Sequence, residues 1–292
     1  MEQTLSANAL SMIDRYIHFR FGSAVCSVPY FNNKTVRARA ALRATIGKGS
    51  PQDILSELES VAVKLHADRD ALADETLKKI LADSGLGVDC SAFAFYVLAA
   101  EAEARGYGKL ERHIHFVNCT GLVGKVRCSL RPVENCDVAT LADDRNSRIV
   151  TLDGVQPGDF ISMLNDGEEK ERDHILVVDR VGYEGAARPA KIHYSHAVAY
   201  PEDGVYGTGV RQGVIELNSA QGGAGSDTGS VTGSGDVSGA GSGAADHARS
   251  LTEALWSENG SVKGAERLFE RAKKSKTEIR RLNLFEDIKN DK

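Results

Sequence analysis

The stretch "GLGVDCSAFAF", residues 85–95, decides the reading of this chain, because it sets a carboxylate, a thiol and a hydroxyl where an apolar run begins. Asp89 has the short acceptor side chain that caps a first helical turn, and Phe93 to Ala100 is apolar enough for a helix swallowed by a core. Capped in this way, the helix places Cys90 at its positive end. Aligned peptide dipoles favour a thiolate there, one of the few routes by which a cysteine becomes reactive near neutral pH. The pattern predicts that the helix runs to about Arg105 and stops at Gly106, a residue suited to a left-handed cap.

Upstream of this segment, a helix is expected around Ala7 to Phe19, followed by the irregular stretch "SVPYFNNKTVRA". Ser50 and Pro51 open a second helix, with Ile54, Leu55, Leu58, Val61 and Leu65 at helical spacing, and a third is expected near Leu72 to Leu81. Downstream, residues 106–157 carry only weak strand signals near Ile114 to Val117 and Ser147 to Leu152, and read as irregular. Four strands then follow: "GDFISML" from Gly158, "HILVVDRV" from His174, "AKIHYSHAVAY" from Ala190 and "GVRQGVIEL" ending at Leu217. Helices first and an antiparallel sheet second define an α+β class. Residues 218–246 are almost all Gly, Ser, Ala, Asp and Thr, the composition of a flexible loop. Beyond them, Leu251 to Trp256 and Ala265 to Leu284 read as helices. The organisation expected is a catalytic domain over 1–217 with a helical insertion near 51–83, the loop over 218–246, and a helical segment over 247–292 packed on the domain.

A cysteine nucleophile needs a base within reach and a third polar group to hold that base in its working tautomer. His174 opens a strand whose next residues, Ile175 to Val178, are apolar, so its ring is expected at the edge of a core sheet. The neighbouring strand carries His193, Ser195 and His196. Strand alternation sends His193 and His196 to opposite faces, so at most one of them meets His174.

"VDCSAF" resembles the Asp-Cys-Ser-Gly-Phe signature of the NlpC-type cell-wall cysteine endopeptidases, a papain-like family. "VQPGDFI" is similar to the Pro-Gly-Asp stretch before that family's base, "DHILVVDRV" to its base-bearing strand, and "YSHAV" to the strand of its third polar residue. The resemblance implies a papain-like α+β fold and acyl transfer, with Cys90 as nucleophile, His174 as base and His196 as orienting group, His193 being the reserve. "VPYF" is similar to the family's tyrosine-bearing approach to the catalytic helix. Tyr30 therefore inherits a place lining the site, and Asp89 and Ser91 flank the nucleophile as substrate-contacting residues. The implied substrate is an amide bond in a peptide or a peptidoglycan stem peptide, with no cofactor. Ala92 stands where the family keeps glycine, and no Gly-Gly follows Tyr30. Amidase, deamidase or acyltransferase chemistry uses the same thiolate, and a catalytically degenerate peptide-binding module is the non-enzymatic alternative.

Composition narrows the remaining classes. A formal net charge of −5 in 292 residues gives no basic excess of the kind that marks nucleic-acid binding. No run approaches the roughly 20 apolar residues of a membrane span, and the N-terminus lacks an export-signal pattern, so a cytoplasmic location is expected, with export by another route as the alternative. Five cysteines, Cys26, Cys90, Cys119, Cys128 and Cys136, are too sparse for a disulfide framework and suit a reducing compartment. His113, His115 and Cys119 lie close together, but the paired-cysteine spacing of structural zinc is missing, so no metal is expected. "GKGS" at 47–50 lacks the upstream glycine of a phosphate loop. Sequence leaves the oligomeric state open.

Overall fold

A computed structural model of the chain describes residues 1–32, 42–164, 173–185, 188–217, 250–259 and 263–286. Its N-terminal half runs β1 (Glu2–Thr4), α1 (Ala7–Ile17), β2 (Phe19–Phe21), β3 (Ala24–Cys26), α2 (Pro51–Lys64), α3 (Asp74–Asp83) and α4 (Cys90–Ala104). Three further helices follow, α5 (Gly121–Leu130), α6 (Pro132–Asn135) and α7 (Val138–Leu141), then β4 (Ser147–Ile149). The sheet strands β5 (Phe160–Leu164), β6 (His174–Glu184), β7 (Arg188–Val198) and β8 (Gly209–Glu216) come next, and β9 (Leu255–Glu258), α8 (Gly264–Lys274) and β10 (Lys276–Leu282) complete the fold.

Local chemistry explains the helix starts. At α2, the Ser50 hydroxyl accepts from the Asp53 N–H at 3.1 Å while the Asp53 carboxylate accepts from the Ser50 N–H at 2.9 Å, a reciprocal capping box with Pro51 in the first turn. At α4, the Asp89 carboxylate accepts from the Ala92 N–H at 2.8 Å. This helix is apolar all round and is enclosed over most of its length, as such helices are.

The fold is mixed α+β. Its main sheet is antiparallel in every described pairing, in the order β4-β10-β5-β6-β7-β8-β9, with β1 alongside β6. Both faces are covered. Ile175, Val177 and Ala197 pack with Phe93 and Val97 of α4, whereas Leu176, Val178 and Tyr194 pack with Leu268 and Ala272 of α8. Burial on both sides is why "ILVV" reads as an unbroken apolar run rather than an alternating one.

The C-terminal segment departs from expectation. In place of a helix over Leu251 to Trp256 there is one turn and then β9, which pairs with β8. The single helix expected over Ala265 to Leu284 divides into α8 and β10, and β10 is inserted between β5 and β4. Pairing on both edges makes "KTEIRRL" a strand despite its modest strand preference, and its charged residues are bound: Asp159 accepts from Arg281 at 2.7 and 2.9 Å, and Arg280 is almost fully buried against Ser147. The segment is therefore woven into the sheet rather than laid on the domain. A second departure is α5, formed where the sequence read as irregular. Leu122, Val123, Val126 and Leu130 face outward on it, so its apolar residues never gave the inward stripe that marks a helix.

Cys119 and Cys128 are joined as a disulfide with their Cα atoms 6.4 Å apart. The reading of five free thiols gives way to three, Cys26, Cys90 and Cys136. The Gly/Ser-rich run over 218–246 lies outside the described residues. Among the described residues no helix is long and apolar enough to cross a membrane.

Candidate functional site

Cys90 is the first residue of α4, as the Asp89 cap requires, but its surroundings differ from those of an open nucleophile. The residue is 6% exposed and packs in the core cluster on the α4 face of the sheet. Its sulfur lies 3.9 Å from the Asp173 carbonyl and takes a hydrogen bond from the Ile175 N–H, so it rests against the backbone on either side of His174. Burial, reinforced by the Asp89 charge and only partly offset by Lys48, pushes the thiol up to about 12. Desolvation outweighs the helix dipole, and the resting sulfur is a neutral thiol rather than the thiolate that the helix position suggested.

Beneath Cys90 lies a buried charge cluster. Lys48 donates to Asp89 at 2.9 Å and to the Ser91 hydroxyl at 2.7 Å, and Ser91 in turn donates to Asp89 at 2.9 Å. Asp89 thus receives the Ala92 N–H, the Ser91 hydroxyl and the Lys48 ammonium together. Asp89 and Ser91, expected to contact substrate, are both buried, and their bonds hold the first turn of α4.

The histidines assemble on the other face of the sheet. β6 and β7 pair with Val177 opposite Ser195, which sets His196 across from Leu176 and on the α8 side with it. His174, two residues before Leu176, shares that face. His174 Nε2 and His196 Nδ1 are 2.7 Å apart, with the rings edge to face. Among the described residues no hydrogen bond reaches His174 Nδ1. Burial, with the positive charge of Arg271 nearby, holds His174 well below the ordinary imidazole value, so the ring is neutral at pH 7.

The chain of contacts continues past His196. Its Nε2 lies 3.0 Å from Glu258 Oε2, and Glu258 also accepts from the Tyr200 hydroxyl at 2.8 Å and from Arg211 Nη1 at 3.3 Å. Burial raises the Glu258 carboxyl, but the bonds from His196 and Tyr200 and the charge of Arg211 hold it below the usual carboxylate value. Sequence reasoning missed Glu258, Tyr200, Arg211 and Lys48. The first is out of reach of local pattern because β9 was read as helix. Lys48 was passed over with the rejected phosphate loop.

His174 and His196 are therefore brought together, and His193 is not part of the pair: it sits opposite Arg180 and 4.0 Å from Glu2. Ser195 donates to Asp179 instead of to either histidine. Cys90 and His174 meet only at the start of β6, thiol on one face and ring on the other, and no hydrogen bond joins them among the described residues. His174 and Tyr30 line a crevice of about 690 Å³ together with Arg267 and Arg271 of α8.

No group of three His, Cys, Asp or Glu in a metal-binding arrangement occurs among the described residues. Of the histidines near Cys119, His113 contacts the Tyr107 carbonyl and His115 contacts Arg145. Comparison with protein-family models, with curated proteins and with solved structures finds no match for this chain.

Proposed function

We propose that this chain is a cysteine hydrolase of the papain-like, NlpC-type class, cleaving amide bonds in peptides or peptidoglycan stem peptides through Cys90, His174 and His196. The observation that carries the reading is the 2.7 Å bond from His174 Nε2 to His196 Nδ1 at the strand end against which the Cys90 sulfur rests. It occupies one nitrogen of His174 and leaves Nδ1 for the thiol, the division of labour a nucleophile, base and orienting group require.

In the proposed reaction the thiol turns from the Asp173 carbonyl to Nδ1 as substrate fills the crevice, and gives its proton to that nitrogen. The sulfur attacks the amide carbonyl carbon, and first-turn N–H groups of α4 beside Cys90 receive the oxyanion. His174 then returns the proton to the leaving amine as the C–N bond breaks, and water releases the acyl group from sulfur. Apo geometry in such sites is often loose and tightens on binding, so the missing Cys90–His174 bond leaves the pair eligible. Tyr30 contacts substrate from the crevice wall. The same thiol acting on another acyl group gives amidase, deamidase or acyltransferase chemistry. A cytoplasmic site of action belongs to this proposal.

One observation favours a second reading, a peptide-binding module without turnover. The thiol is enclosed and pushed up to about 12 by burial. Incubating wild type and Cys90→Ala with peptidoglycan stem peptides and mixed peptides, followed by mass spectrometry, separates the two. Thiol-dependent loss of an amide bond supports the hydrolase. Identical products with retained peptide binding support the module.

A further inference from the structure

Glu258 reaches the site from β9; the Tyr200 hydroxyl donates to its Oε2 and Arg211 Nη1 to its Oε1, whereas the contact of His196 Nε2 with Oε2 takes its direction from the tautomer. The Tyr200 hydroxyl and the Arg211 guanidinium hold the carboxyl ionised, so it accepts only. His196 then carries its hydrogen on Nε2. A neutral imidazole protonated there has a lone pair at Nδ1. The hydrogen on the 2.7 Å line to His174 must therefore belong to His174 Nε2, and Nδ1 of His174 is left unprotonated. This assignment holds for a singly protonated His196; a doubly protonated ring would reverse the bond to His174, and ring-nitrogen NMR reads the two apart.

We infer that Glu258 is a positioning residue which, acting through His196, fixes His174 as its Nε2–H tautomer and so makes Nδ1 the basic nitrogen. Only the purpose of that tautomer rests on the proposed hydrolase. The arrangement extends a three-residue set to four, with Tyr200 and Arg211 holding the last member in place. Its logic is that a ring which can be protonated on either nitrogen is specified by a distant group that can only accept.

The test is nitrogen NMR on the full chain labelled in its histidine rings, where ring shifts and two-bond couplings report which nitrogen carries hydrogen. Wild type is expected to show His174 and His196 both as Nε2–H forms. Glu258→Gln keeps the shape but adds an NH₂ that can donate to His196 Nε2, and should lose the single-tautomer signature at both rings. Glu258→Asp, which restores an acceptor-only group, should recover it in part. Cys90 alkylation should slow by roughly 10²-fold in Glu258→Gln, the lower end of what a mispositioned base loses. Unchanged tautomers in a folded Glu258→Gln overturn the inference. So does a wild-type spectrum with His174 protonated at Nδ1 or His196 doubly protonated, a result that needs no variant to fold. Tautomers that shift in a protein cleaving no amide leave the inference standing and remove the hydrolase. Cleavage with tautomers indifferent to residue 258 does the reverse.

Discussion

The two faces of the sheet treat buried polar chemistry in opposite ways. On the α8 face, His174, His196, Glu258, Tyr200 and Arg211 are linked donor to acceptor, so burial fixes each ring in one orientation. On the α4 face the Cys90 sulfur has weak contacts with backbone, and the strong bonds are spent beneath it, among Lys48, Asp89 and Ser91. Burial without a strong partner leaves the thiol neutral, while burial with partners makes the imidazoles specific. In the proposed reaction the base is prepared in advance, and the nucleophile awaits it.

Breaking either side of this contrast has ranked consequences. Cys90→Ala or His174→Ala should lower thiol-dependent amide cleavage by several powers of ten, and the double variant should be no worse than either single one, because the two act as a unit. Product assays on the three proteins check this. Lys48→Met should leave Asp89 charged and unpaired under α4 and destabilise the fold by about 3 kcal/mol, read from denaturant midpoints. The same assay on His196→Gln sharpens the contrast, since its damage should fall on activity more than on stability.

Smaller effects follow from pH. His174 has a folded value below its unfolded 6.5, so its contribution to stability is present above pH 6.5 and is lost as pH falls through the depressed value. Cys90 is raised, so its contribution is intact below the unfolded thiol value of 9.0 and is lost as pH rises toward about 12. Each group's own share of the slope stays at or below about 1.4 kcal/mol per pH unit; Cys136, pushed up to about 12, and Cys26, to about 11, add to the alkaline limb, so Cys90→Ala should reduce its slope without abolishing it. Smallest of all, Leu122→Ser and Val123→Ser on α5, at 80% and 84% exposed, should change stability by no more than about 0.5 kcal/mol.

What the sequence disclosed follows the same division. The Asp89 cap, the Cys90 helix and the four strands from Phe160 to Glu216 are written in local chemistry: capping residues, an apolar run and β-branched strands. The choice of His196 over His193 came from a motif in "YSHAV", and strand register sets it beside His174. What stayed hidden depends on distant pairing. β10 becomes a strand because β5 and β4 flank it, and Glu258 reaches His196 across 62 positions. The thiol's neutrality was equally hidden, since a helix N-terminus is visible in sequence and the packing that desolvates it is not.

The central claim is that the Cys90 thiol and the His174 imidazole operate together despite lying on different faces of the sheet at rest. It is tested most directly by the alkylation rate of Cys90, followed by peptide mass mapping between about pH 5 and 9, in wild type and His174→Ala. A coupled pair predicts a wild-type rate at least about 10²-fold above the variant near neutral pH, falling only in acid as the imidazole takes up its proton. Equal rates in the two proteins, both climbing solely with ionisation of an isolated buried thiol, contradict it.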